Sequence, residues 1–266
     1  MDFKQGLLCG LTDKMADFTD TCPTYEPDEQ LEQKATEHVD EIRDNSERAK
    51  MAQRLIWFLM FMSVLSICSS FLHYNLLARR QDIVPVSAEL IEVNDQREAM
   101  VNLVIFVALV VAATVYIRWF RRAYYNLAIR TEVDHDESWT VWGWIIPIIS
   151  LFRPLQLMKE MWSKTTALVQ AHLPNYQEVG STLVVSWWVL WIIVKIGSNI
   201  STRLSIKAIT FQDQMDATSF DILLAIVSIP LALLAIRVVK EYTNLEQTLY
   251  DLEIAQKQEQ LDRNAQ

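Results

Sequence analysis

LIWFLMFMSVLSICSSFLHYNLL, residues 55–77, is the stretch that decides the fold. It is continuously apolar over a length that water does not solvate and a bilayer does. A helix needs roughly 17–25 such residues to cross a hydrocarbon core about 30 Å thick. Three more runs of the same kind follow at 100–117 (MVNLVIFVALVVAATVYI), 182–206 (TLVVSWWVLWIIVKIGSNISTRLSI) and 220–239 (FDILLAIVSIPLALLAIRVV). None shows the in-out alternation of a membrane β-barrel strand. The reading is an all-α integral membrane protein with four transmembrane helices.

Composition fits a helical membrane domain with charged ends. Of 266 residues, 51% are hydrophobic and only 5 are glycine, and the mean hydropathy is +0.12. The net charge of -9 comes from acids before residue 55 and after residue 239, so the membrane part itself is not acidic. Basic residues flank the runs and form no patch, which argues against nucleic-acid binding. The first residues lack a basic segment leading into an apolar one, so 55–77 is expected to act as the first signal-anchor. With the amino end in the cytoplasm, thirteen Arg and Lys lie on the inner side and five on the outer: Arg79, Arg80, Arg97, Arg203 and Lys207. That bias predicts that both termini are cytoplasmic, although Arg79 and Arg80 run against it.

The chain divides into four parts. Residues 1–26 read as an acidic, Cys-containing tail with Pro23 and the following Pro27, and 27–54 as an amphipathic cytoplasmic helix with Leu31, Ala35, His38 and Ile42 on one face. This helix is expected to run directly into the first span. Residues 55–240 form the membrane domain. Residues 241–266 read as a second cytoplasmic helix and tail, with Tyr242, Leu245, Leu249 and Leu252 at coiled-coil spacing. The helices at 28–50 and 241–256 are candidates to pack on each other, on a second copy or on a protein partner, with solvated extensions as the plainer alternative.

Residues 138–152 differ from the four runs. About 15 residues make a helix of only ~22 Å, Pro147 interrupts it, and Trp139, Trp142 and Trp144 favour an interface. The segment is therefore expected to be re-entrant or interfacial, beginning and ending on the cytoplasmic side. On either side of it, Trp119, Phe120, Tyr124, Tyr125 and Leu127 interleave with Arg118, Arg121, Arg122 and Arg130, and Leu155, Met158, Met161 and Trp162 with Lys159, Glu160 and Lys164. Both stubs read as a collar lying in the headgroup layer.

The elements Trp119, Arg122, Tyr124, Asn126, then Trp142-Gly143-Trp144, Pro147, Arg153-Pro154, Glu160 and Trp162, and later Trp187-Trp188, resemble a bacterial membrane family known as domain of unknown function 4328 (DUF4328). The resemblance covers roughly 55–240. It implies a multi-pass protein of the bacterial cytoplasmic membrane and carries no catalytic residue. The amino tail, with Cys9-Gly10 and Cys22-Pro23, is similar to the second half of a small Cys-rich tail of some bacterial proteins.

Candidate chemistry is sparse. Cys9 and Cys22 are two ligands where structural zinc wants four, with His38 a remote third, so free thiols are the plainer reading. Cys68 reads as a small packing residue. Lys195 is the sharper anomaly, because an ammonium near the middle of a span costs about 2.5–3.5 kcal/mol. With Ser198, Asn199 and Asp221 it is a candidate polar cluster. Three readings stay open: snorkelling with the small residues mediating helix contact, pairing with Asp221, or lining a solute or proton path. Asp134-His135-Asp136-Glu137 reads as a solvated loop. No nucleotide, hydrolase or metalloprotease motif is present, and no cofactor is expected.

These readings converge on a non-enzymatic, membrane-anchored interaction or scaffold module whose partners are the bilayer and a protein or second copy. The alternative is a small-solute or ion transporter or channel built around Lys195.

Overall fold

A computed structural model describes residues 41–82, 84–177 and 180–264. The tail 1–26 with Cys9 and Cys22, and the stretch 27–40 with His38, lie outside the described residues. Helix α1 runs over Ser46–Gln81, α2 over Ala88–Arg130, α3 over Trp139–Ile145, α4 over Arg153–His172, α5 over Ser181–Lys207 and α6 over Phe211–Asn264. Among the described residues there is no strand. Four helices, α1, α2, α5 and α6, are long and apolar enough to cross a membrane, and each contains one of the four runs.

Local chemistry sets the helix ends. The Asp44 carboxylate accepts the Ser46 backbone N–H at 2.9 Å and starts α1. Ser87 caps α2 by accepting the Leu90 N–H at 3.2 Å. Between α5 and α6 only 208–210 intervene. There the Asp213 carboxylate accepts the Thr210 N–H at 2.9 Å while the Thr210 hydroxyl accepts the Asp213 N–H at 3.1 Å, a reciprocal capping box that turns the chain sharply.

α6 packs against α1, α4 and α5, and α1 packs against α2. With 54 residues, α6 is about 80 Å long, so it outruns any bilayer. The hydrocarbon portions are sparsely buried: Leu103, Phe106, Val107, Leu109 and Val110 of α2 are all more than half exposed or close to it, as lipid-facing residues should be. Protein packing concentrates instead at one end of the bundle, where α1 begins and α6 leaves; we call this the near end, and the opposite end the far end.

Residues 138–152 turn back on themselves. After α3 the chain bends at Pro147, makes one 3-10 turn at Ile149–Leu151 and returns as α4. The Arg153 guanidinium then lies over the Trp139 ring at 5.0 Å, so the end of the excursion sits beside its start. Gly143 permits that approach, since a methyl there would lie 3.1 Å from Arg153 Cγ. The tip is apolar and unpacked, with Ile145 57% and Ile148 75% exposed.

Three expectations change. The first helix does not run unbroken into the first span, because residues 42–45 are not helical. The reason is polar: the Asn126 amide accepts the Arg43 N–H and donates to the Arg43 carbonyl, and Asn45 donates to the Trp119 carbonyl, so this backbone is tied to α2 instead of continuing a helix. The collar side chains do not face lipid headgroups; Trp119, Phe120, Tyr124, Leu157, Met158 and Met161 are fully buried in protein. The stripe Tyr242, Leu245, Leu249 is likewise consumed inside that same core, with Leu252 packed at its edge. Burying each such side chain is worth about 1.5–3 kcal/mol, which outweighs what a headgroup layer offers.

Candidate functional site

The near-end core is built from aromatic faces and closed by carboxylates. Trp144, on α3, stands edge-on to Tyr116 and Phe120 of α2 and to Trp188 and Trp191 of α5, with centroids 5.5–6.2 Å apart. Trp188 and Trp191 stack at 4.6 Å. Trp162 of α4 leans on Tyr242 of α6 at 5.8 Å. Gly180 lets the start of α5 press on that indole: a Cβ there would fall 1.7 Å from Trp162 Nε1.

Glu160 is the first polar closure. One oxygen accepts the Asp134 N–H and, at 3.0 Å, the Lys164 ammonium. The other accepts the Tyr124 hydroxyl at 3.1 Å and His135 Nδ1 at 2.8 Å, which requires a proton on that nitrogen. Burial pushes its pKa up, but four donors push harder, and the net direction is down. Tyr124 shifts the other way, because burial and the neighbouring Glu160 charge both disfavour the phenolate. A carboxylate saturated this way is a fastener. It has no free lone pair to serve as a base.

Glu246 is the second closure and is unlike the first. It is 7% exposed, and one oxygen accepts the Asn126 amide at 2.6 Å. The other oxygen is buried without a hydrogen-bond partner among the described residues, and so is the carbonyl oxygen of the nearby Asn45 side chain, whose amide is taken by the Trp119 carbonyl. Desolvation raises the Glu246 pKa, and the Asn126 bond and nearby Arg130 only partly offset it. Arg130 itself is committed to Glu253 through three contacts of 2.9–3.1 Å. A cleft of about 230 Å³ opens here, between the chain leading into α1, the end of α2 and the emergent part of α6, lined by Arg43, Asn45, Asn126, Glu246, Gln247 and Tyr250 among others.

The residues singled out from sequence separate into distinct places. Trp119, Tyr124, Asn126, Trp144, Glu160 and Trp162 meet in the near-end core, Gly143, Pro147, Arg153 and Pro154 shape the hairpin, and Trp142 is 53% exposed on it. Arg122 lies over the Tyr125 ring at 5.8 Å, and Arg43 lies over the same ring at 5.0 Å. Lys195 is not brought to Asp221: it donates to the Ser150 hydroxyl at the hairpin and lies 4.5 Å from the Trp191 ring centroid. Asp221 instead accepts the Ser201 hydroxyl. Among the described residues, Ser198 and Asn199 hydrogen-bond within their own helix. Glu246, Asn45, the pairing of Arg130 with Glu253 and the role of His135 escaped sequence reading. Lys164, four residues after Glu160, was the available sign of the first closure; nothing in the sequence signals that Glu246 is buried.

The family described as "Domain of unknown function (DUF4328)" matches residues 82–244. That interval holds α2, the hairpin, α4, α5 and most of α6. No curated protein and no solved structure matches the chain.

Proposed function

This chain belongs to the DUF4328 family, and from that premise we propose that it is a non-enzymatic interaction module of the bacterial cytoplasmic membrane, with both ends in the cytoplasm. The observation that carries the reading is the near-end cleft. Two buried acceptors, Glu246 Oε2 and the Asn45 side-chain carbonyl, wait there without a donor. A Lys or Arg side chain from a partner protein supplies what they lack, and pairing would recover the cost of about 1–3 kcal/mol that each unsatisfied group carries.

The saturation of Glu160 supports a non-catalytic role, and the fixed base under α6 supports a scaffold: the helix is bound by Asn126 and Arg130 before it projects. The test is a photo-crosslinking amino acid at Gln247, on the rim of the cleft, in native membranes, with one at Gln212 of the far end as control. A single protein adduct at Gln247, absent at Gln212 and lost in Glu246→Leu, is expected. Lipid adducts alone at both positions would refute the reading.

A further inference from the structure

A second cavity lies at the far end, about 290 Å³ in volume, and all four membrane helices contribute to it. Its wall is almost wholly polar: Ser70 and His73 from α1, Glu98 and Asn102 from α2, Ser205 from α5, and Gln214, Thr218 and Asp221 from α6. A cavity of that polarity at the end of an apolar bundle is costly to build from side chains that could have been Leu or Val.

The hydrogen bonding shows what the wall leaves available. Glu98 Oε1 accepts the Ser69 hydroxyl at 2.7 Å and the Arg97 guanidinium at 3.1 Å, and Glu98 Oε2 has no donor among the described residues. Asp221 Oδ1 accepts Ser201, and its Oδ2 has no donor either. Arg97 is held in turn by Ser69 and by the Asn94 carbonyl oxygen at 2.8 Å. The Asn94 amide donates to His73 Nδ1 at 2.7 Å, which puts the proton of the neutral ring on Nε2. Ser70 is 8% exposed, lines the cavity and makes no hydrogen bond among the described residues. Glu98 and Asp221 are close enough to act on each other electrostatically.

We propose that this far-end cavity is a binding site for a short aliphatic diamine, one ammonium taken by the free oxygen of Glu98 and the other by that of Asp221, with Ser70 and the Asn102 and Gln214 carbonyls as further acceptors. Two carboxylates on different helices, each anchored through one oxygen and open through the other, are a preorganised pair of ammonium acceptors. A dication also removes the repulsion between them. The wall has no Phe, Tyr or Trp, so it lacks the cage that recognises quaternary ammonium. Among the described residues no three His, Cys, Asp or Glu side chains gather as a metal ion would need. At about 30 Å³ per water, the volume admits a four-carbon diamine with a few waters. The site stands apart from the near-end cleft and does not rest on the function proposed for it.

The experiment is calorimetric titration of the full chain in nanodiscs with 1,4-diaminobutane at neutral pH. Saturable binding is expected, weakened at least tenfold by Asp221→Asn and by Glu98→Gln, and unchanged by Lys195→Leu. Because Glu98→Gln disturbs the Arg97 bonds, Asn102→Leu serves as the second variant: it obstructs the cavity and breaks no hydrogen bond, so binding should fall tenfold with the unfolding temperature unmoved. Excess tetramethylammonium should not compete. Absence of saturable binding, equal affinity in the Asp221, Glu98 and Asn102 variants, or displacement of the amine by stoichiometric calcium would each overturn the proposal.

Discussion

Glu160→Gln and Glu246→Gln are the same isosteric change within one near-end core, and the structure assigns them opposite signs. Glu160 faces donors only, two on each oxygen. An amide turns one of those oxygens into a donor, so two favourable bonds become donor-to-donor contacts, at about 1–3 kcal/mol each. Lys164 is partly solvated and contributes little of this. A total near 3 kcal/mol is expected, and at about 2–4 °C per kcal/mol for a chain of this size the melting temperature falls by roughly 6–12 °C. Glu246 has the reverse problem, a buried oxygen with no donor, near the Asn45 side chain whose carbonyl is also unpaired. An amide keeps the acceptor for Asn126 and supplies the missing donor, so Glu246→Gln should raise the melting temperature by a few degrees at pH 8.

The pH dependence separates the two mechanisms. The folded pKa of Glu160 lies below its ordinary 4.5, so its contribution is present above that value and is lost as pH falls through the folded one. The gap between wild type and Glu160→Gln should close in that acid window. The folded pKa of Glu246 lies above 4.5, so the advantage of Glu246→Gln should appear as pH rises through the folded value and vanish below 4.5. Tryptophan fluorescence melts in detergent across pH read both. Shifts of the same sign for the two variants at pH 8, or a Glu160→Gln shift under 2 °C at neutral pH, would refute the reasoning.

Gly180→Ala should be the most damaging single methyl in the chain, because its Cβ overlaps a nearly buried indole; a loss of about 3 kcal/mol or failure to accumulate is expected, and pairing it with Trp162→Phe should recover part of it. Lys195→Leu removes an ammonium from a span while Ser150 keeps its own bond to the Pro147 carbonyl, so thermal stability should hold or rise, with a change in emission from the Trp191 cluster. Arg48 and Arg43 act on Arg122, none of the three is paired with a carboxylate among the described residues, and desolvation and this repulsion lower the Arg122 pKa. Anionic lipid should therefore stabilise the protein in nanodiscs relative to a zwitterionic bilayer, and Arg122→Ala should reduce that gain by about 1 kcal/mol.

The parts of the fold that depend on one run at a time were legible. Four spans, the turned-back segment around Pro147 and the helical continuation past the last span follow from run length, Pro chemistry, aromatic content and helical periodicity, none of which needs a neighbour. The collar was misread because amphipathicity has two solutions. Tyr124 and Leu127 facing one way with Arg121 and Arg122 facing the other is equally the signature of a headgroup stub and of a helix with a protein partner. The difference lies in α4 and α6, more than thirty residues away, which bring Met158, Met161 and Tyr242 to that face.

Polar pairing was harder still, because sequence proximity is a poor guide to which charges meet between antiparallel helices. Lys195 and Asp221 fall on adjacent membrane helices and invite pairing, yet a lysine stem long enough to snorkel follows whichever acceptor lies along it, and here that is Ser150 on a hairpin 45 positions earlier. Asp221 is thereby left uncommitted at one oxygen, and so is Glu98, which a tally of flanking charges treats as an ordinary loop acid. An anomaly in the middle of a span draws the eye, whereas a cavity at its end is made of residues that look unremarkable singly. Only the convergence of four helices gives Ser70, Glu98, Asn102 and Asp221 a common address, which is why the far-end site is a property of the fold and of no single segment.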